Sequence, residues 1–170
     1  MNALHRLTTA LAFAAGCSLT MPVDAASVHR EDLVCRFTAS TQADGRVTVS
    51  FHLRNTSAQD VHLLNWGSPF ERAWRAPFVR VQAPKGELPF EGAMRKRGDP
   101  SADDYVLLRA GEGADVSLTL NDAYTLPPEG ALRLSAAWRW HDAIAAGAPP
   151  RPRERHQGLD QDCGSVVLQR

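Results

Sequence analysis

Apolar and polar residues alternate with a period of two along three segments of the chain. The apolar positions are Val47, Val49, Phe51 and Leu53 in the first segment, Val116, Leu118 and Leu120 in the second, and Leu132, Leu134, Ala136, Trp138 and Trp140 in the third. Successive side chains of a strand point to opposite faces, so each segment is predicted to be a half-buried β-strand.

Shorter strand candidates lie between turns rich in Gly, Pro and Asp, at residues 35–40, 61–64, 78–82, 88–90, 105–108 and 165–169. No segment has a helical period. Short strands separated by turns roughly every dozen residues predict an all-β fold, an immunoglobulin-like antiparallel β-sandwich of about seven to nine strands. Residues 67–77 and 142–162 have no periodicity and are expected to be long loops, which are either functional or mobile.

The N-terminal residues 1–25 have the pattern of a signal peptide, with Arg6 before a short apolar stretch and small residues at Ala25 and Ala26. We expect cleavage after Ala25, which leaves residues 26–170 as a single exported domain, periplasmic or extracellular. The alternative is a lipid-anchored protein, because Ala14-Ala15-Gly16-Cys17 resembles a lipobox whose Cys17 is acylated. No later apolar run is long enough to span a membrane.

Three cysteines are present, and Cys17 belongs to the N-terminal segment. The remaining two, Cys35 and Cys163, are an even pair in an oxidising compartment, which predicts a disulfide between the first strand and the last. Closing so long a loop would stabilise the domain by roughly 4–5 kcal/mol in the chain-entropy model. The alternative is two unpaired buried thiols.

The charge balance argues against nucleic acid or an anionic membrane as the main partner. The chain has 19 basic and 19 acidic residues, whereas such partners require a basic field.

Motifs of catalysis are missing from the sequence, which has neither a zinc-binding HExxH nor a GxSxG nucleophile turn. We therefore expect no catalytic residues, no metal site and no cofactor. The alternative is a degenerate metal-dependent hydrolase that uses His141, Asp142 or His156. His141 and Asp142 are strand neighbours, and their side chains are expected to point to opposite faces.

A cluster of aromatic and basic residues is the strongest candidate for partner binding. Trp66, Phe70 and Trp74 lie in and beside the loop at residues 67–77, and Arg95 and Arg97 follow in a short basic run. Exposed aromatic and arginine side chains supply much of the binding energy of protein interfaces. The alternative is a loop folded over one end of the core.

The middle of the chain also carries an ordered set of short motifs. They are Leu53-Arg54-Asn55-Thr56, Leu63-Leu64-Asn65-Trp66-Gly67-Ser68-Pro69, Phe78-Val79-Arg80-Val81, Phe90-Glu91-Gly92, Tyr105-Val106-Leu107-Leu108-Arg109-Ala110-Gly111 and Leu118-Thr119-Leu120-Asn121-Asp122-Ala123-Tyr124. This set resembles the β-sandwich that precedes the catalytic domain in deuterolysin-like peptidyl-Lys metalloendopeptidases. The zinc ligands and catalytic Glu of that family have no counterpart in the chain.

The resemblance implies a secreted, non-catalytic binding module, like the accessory or pro-region domain of a metalloprotease. Its partner would be a secreted protease, which it would inhibit or assist as a chaperone, or another envelope protein. The alternative is a structural domain or lipoprotein of the cell envelope.

Overall fold

A computed structural model describes residues 27–170. The predicted signal peptide and Cys17 lie outside these residues. The strands are β1 (Leu33–Thr41), β2 (Val47–Asn55), β3 (Val61–Leu64), β4 (Val79–Ala83), β5 (Gly86–Glu87), β6 (Tyr105–Leu108), β7 (Gly113–Thr119), β8 (Ala131–Trp140), β9 (Ala143–Ile144) and β10 (Leu159–Gln169). Short 3-10 helices occupy Arg30–Asp32, Pro69–Glu71, Ala102–Asp104, Leu120–Asp122 and Arg153–Arg155. None of the helices between residues 27 and 170 is long and apolar enough to cross a membrane.

The ten strands form three antiparallel sheets. The β2 sheet has the order β1-β2-β7, the β8 sheet the order β10-β8-β4-β5, and the β3 sheet the order β6-β3-β9. The all-β class is thus confirmed, and the arrangement is consistent with a β-sandwich. The strand count is slightly higher than predicted because β5 and β9 are two-residue strands.

The main core lies between the β2 sheet and the β8 sheet. The ring of Phe51 on β2 lies 5.9 Å from that of Trp138 on β8 and 5.9 Å from that of Phe78, which precedes β4. On both β2 and β8, the face that the alternation predicts to be apolar is buried. Alternation therefore identified the correct inward face, because one face of each strand packs on the other sheet.

Residues 142–162 differ from the long loop expected from the sequence. Ala143–Ile144 pairs with β3, and β10 already begins at Leu159. The start of this strand could not be predicted from Asp160-Gln161-Asp162, because the inward-facing residue, Gln161, is polar. The amide of Gln161 is 4% exposed and donates a hydrogen bond of 3.4 Å to the carbonyl of Leu33 on β1. The strand expected at residues 88–90 is replaced by β5 just before it.

Cys35 on β1 and Cys163 on β10 are joined by a disulfide, with their Cα atoms 4.9 Å apart. Each strand lies at the edge of its own sheet. The bond consequently connects the β2 sheet to the β8 sheet along one side of the sandwich.

Candidate functional site

An arginine-lined cleft of about 350 Å³ opens beyond the end of β3. Four separate parts of the chain contribute to it, and its lining comprises Leu64, Trp66, Gly67, Arg75, Ala76, Arg95, Arg97, His141, Arg153 and His156. We call this the Trp66 cleft. Beneath it, Leu64 and Trp66 pack with Tyr105 and Ile144 in a small apolar cluster separate from the main core.

Trp66 lines the cleft, and a hydrogen bond from its ring nitrogen fixes its orientation. The indole Nε1 donates a 2.9 Å hydrogen bond to Oδ1 of Asp104. The guanidinium carbon of Arg97 lies 5.2 Å from the ring centroid, and that of Arg153 lies 5.9 Å from it. Both distances are within the range of cation–π attraction, so the ring attracts two arginines from distant segments of the chain.

Each of these two arginines is also tied to an acidic residue outside the cleft lining. Arg97 donates to Glu71, whose side chain is 12% exposed, and Glu71 in turn accepts from the backbone N–H of Gly67 at 3.0 Å. Arg153 pairs with Asp99 at 3.1 Å and donates to the carbonyl of Gly98. These contacts join the loop around Arg97 to the segment around Arg153.

The lining of the cleft is cationic. It includes four arginines and two histidines but no Asp or Glu. Within residues 27–170, Arg75 and Arg95 form no ion pair. The uncompensated charge of these two arginines makes the cleft a site that attracts anions.

Two titratable groups at the cleft, His141 and Asp104, both have a lowered pKa, which favours a neutral imidazole at His141 and a charged carboxylate at Asp104. Burial, together with the nearby Arg139 and His156, lowers the pKa of His141 below its ordinary value. Burial alone would raise the pKa of Asp104, but hydrogen bonds from Ser101 and Trp66 and the charge of Arg97 hold it below its ordinary value. Asp104 is consequently an anion at neutral pH that orients Trp66.

Asp142 is a fully buried anion behind the cleft. Its carboxylate accepts hydrogen bonds from the Arg151 guanidinium at 3.1 Å, the Tyr105 hydroxyl at 2.9 Å and the Gln157 backbone N–H at 2.9 Å. Burial would raise the pKa of Asp142, but these hydrogen bonds and the charge of Arg151 lower it. Asp142 thereby attaches the segment that carries Arg153 and His156 to the end of β8.

The structure brings His141, Asp142 and His156 close together, although the sequence suggested them only as an alternative. His156 Nε2 lies 4.0 Å from Asp142 Oδ2 and hydrogen-bonds the Arg151 carbonyl at 3.0 Å. Both oxygens of Asp142 are already engaged by other donors. Among residues 27–170, no group of three or more His, Cys, Asp or Glu side chains is placed to hold a metal ion.

The three aromatic residues proposed for partner binding have separate positions. Phe70 and Trp74 lie in the main core, 7% exposed each, with Phe70 5.8 Å from the ring of Trp140 and Trp74 stacked at 4.5 Å on Phe78. The loop at residues 67–77 therefore folds over the core, which is the alternative expected for these aromatic residues. Trp66 is 8% exposed and lines the cleft.

Arg95 and Arg97 both line the cleft, as does Trp66, so three of the five candidate residues come together there. Sequence reasoning missed Arg75 and Arg153 as members of the same site. Arg153 lay in the Pro149-Pro150-Arg151-Pro152-Arg153 stretch, whose density of arginine was the only signal of its role.

No family model matches the chain. Over 98 residues, 58% of this chain, it is 33% identical to an "Extracellular protease" of Aeromonas hydrophila. The match spans 28% of that protein, so the chain corresponds to little more than a quarter of the length of this relative. The similarity is therefore to part of an extracellular protease.

Proposed function

We propose that the chain is an exported, non-catalytic module that binds a secreted protease and modulates its folding or activity. The observation that carries this proposal is the similarity of 98 residues to part of an extracellular protease. A segment that matches only 28% of an enzyme fits an accessory region better than a complete catalytic unit. The resemblance of its strand motifs to the sandwich of deuterolysin-like enzymes supports the same role.

The chemistry of the described residues agrees with a binding role. The Trp66 cleft offers cations and one aromatic ring, and the buried Asp142 is occupied by Arg151, Tyr105 and Gln157. Such a lining suits the recognition of an anionic group. Export places the module in the same compartment as its partner.

The test uses the relative itself. The Aeromonas hydrophila protease is produced intact and with its matching segment deleted, and our chain is added to each protein. We expect the chain to bind the deleted protease and to change its yield of active enzyme, measured by calorimetry and by peptide hydrolysis. The intact protease is the control. Its own segment competes with our chain, so our chain should bind the intact protease more weakly than the deleted one.

Two results would oppose the proposal. One is the absence of binding and of any effect on the deleted protease when the intact protease is active. The other is peptide hydrolysis by our chain alone that survives repurification and is lost in a variant of a cleft residue, since that would make the chain itself an enzyme.

A further inference from the structure

We infer that the Trp66 cleft is the docking site for an acidic peptide segment, whose carboxylates meet Arg75 and Arg95. This inference deepens the proposed function, on which it rests for the kind of partner, because it assigns the surface and the chemistry of recognition. In this cleft a concave shape coincides with an excess of positive charge.

The charge of the cleft complements that of an acidic peptide. Arg97 and Arg153 are already paired with Glu71 and Asp99, and they stabilise the walls. Arg75 and Arg95 have no acidic partner within residues 27–170, and both line the cleft. An arginine donates in a planar fork that fits a carboxylate at two points, so these two side chains can each receive one acidic group.

Size and composition argue for a peptide segment over a lone inorganic anion. A volume of about 350 Å³ equals that of roughly a dozen waters at about 30 Å³ each, which is far more than a single acetate or phosphate fills. Ala76 and the exposed part of the Trp66 ring add apolar surface to the lining. A segment that alternates acidic and aliphatic side chains would match both parts of this lining.

The probe is a fluorescein-labelled peptide of alternating Glu and Leu residues, titrated with the full exported chain and followed by anisotropy. Three comparison probes are used. A Lys/Leu peptide and a Gln/Leu peptide have the same length as the Glu/Leu peptide, and an oligothymidylate has the same negative charge. Free acetate and inorganic phosphate are added as competitors. We expect only the Glu/Leu peptide to bind, with an affinity that falls as salt is raised.

The variants are Arg75→Gln and Arg95→Gln, and the matched control is Arg133→Gln. Arg133 is exposed on the outer face of β8 and does not line the cleft. Each cleft variant should weaken binding of the Glu/Leu peptide about tenfold, the size of one charge-assisted hydrogen bond. The control variant should leave the affinity unchanged, and all three should unfold at the same temperature as the wild-type chain.

Several outcomes overturn the inference. One is that the Glu/Leu peptide does not bind, and another is that Arg133→Gln weakens its binding as much as the cleft variants do. The others are that the oligothymidylate binds as tightly as the peptide, or that acetate or phosphate displaces the peptide fully at the peptide's own concentration. If the chain binds the deleted protease but the cleft variants bind it equally well, the docking site is wrong and the proposed function stands. If the acidic peptide binds and the protease does not, the cleft inference stands and the proposed function fails.

Discussion

Cys35 and Cys163 are 128 residues apart in sequence, and the disulfide that joins them holds their Cα atoms 4.9 Å apart. The bond crosses from β1 to β10, beside the hydrogen bond from Gln161 to Leu33. These two contacts close the side of the sandwich where the edge strands of two sheets meet. Since β10 follows the segment that bears Arg153 and His156, the disulfide also limits how far that segment can move.

Removing the disulfide should cost more stability than any single surface change. For a loop of 128 residues the chain-entropy model gives about 5 kcal/mol, and the double variant Cys35→Ser with Cys163→Ser should approach this loss. The measurement is the free energy of unfolding in urea. A wild-type sample kept reduced is the control, and a loss below about 1 kcal/mol in both samples would contradict the expectation.

The buried carboxylate of Asp142 should be the most sensitive polar position. Asp142→Asn leaves Arg151 without its anion, which should lower the free energy of unfolding by about 3 kcal/mol at neutral pH. Asp160→Asn is the matched control, because its pair with Arg139 is exposed and worth at most about 1 kcal/mol.

The pH dependence of the Asp142→Asn effect follows from the lowered pKa of Asp142. A carboxyl whose folded-state pKa is depressed stabilises the protein above its unfolded pKa of about 3.9, and this contribution is lost as the pH falls toward the folded value. The difference in unfolding free energy between the wild-type chain and Asp142→Asn should therefore stay constant from neutral pH to about pH 5 and narrow as the pH falls further. If the difference between the two proteins stays constant down to about pH 3, the ionised carboxylate of Asp142 is not its cause.

The two tyrosines of the chain should both lose their protons at a higher pH than free tyrosine. Burial raises the pKa of Tyr105 to about 12, with a further contribution from its hydrogen bond to Asp142, and burial raises the pKa of Tyr124 to about 12 as well. Unfolded tyrosine ionises near 10, so stability should fall as the pH rises from about 10 toward 12. Phenolate absorbance should show a midpoint near 12 in the native chain and near 10 in denaturant. A native midpoint near 10 would contradict these environments.

Substitutions on the two faces of β2 should differ in their effect on the free energy of unfolding, because one face is buried in the core and the other faces solvent. Phe51 is 1% exposed and lies between Phe37 and Trp138, so Phe51→Ala should lower the free energy of unfolding by about 3–5 kcal/mol. His52→Ala, on the opposite face, removes only a surface contact with Asp115 and should cost less than about 1 kcal/mol. Equal losses in the two variants would mean that β2 pairs in a different register.

The sequence predicts the core of the sandwich but not its buried ion pair or its cleft. Phe51 and Trp138 were assigned to the core because local alternation reports burial directly. The Asp142–Arg151 pair could not be predicted, because a buried charge is satisfied by residues that return to it only after the loop has folded. The same holds for the Trp66 cleft, whose arginines come from segments with no common local pattern.

Trp66 supports the two segments that carry Arg97 and Arg153. The ring contacts Arg97 and Arg153, and each such contact is worth about 0.5–2 kcal/mol. Trp66→Leu removes both contacts but keeps an apolar side chain, so the segments should open more often. Trypsin cleaves after arginine, and when opening is fast its rate follows the population of the open form.

Tryptic cleavage of the native chain at Arg97 and Arg153 should consequently be about fivefold faster or more in Trp66→Leu, since 1 kcal/mol changes a population by roughly that factor. Trp66→Phe keeps an aromatic face and should restore much of the protection. Lys85, in the exposed turn between β4 and β5, is the internal control, and its cleavage rate should not change. Equal rates at Arg97 and Arg153 in Trp66→Leu and the wild-type chain would show that Glu71 and Asp99 hold these segments without the ring.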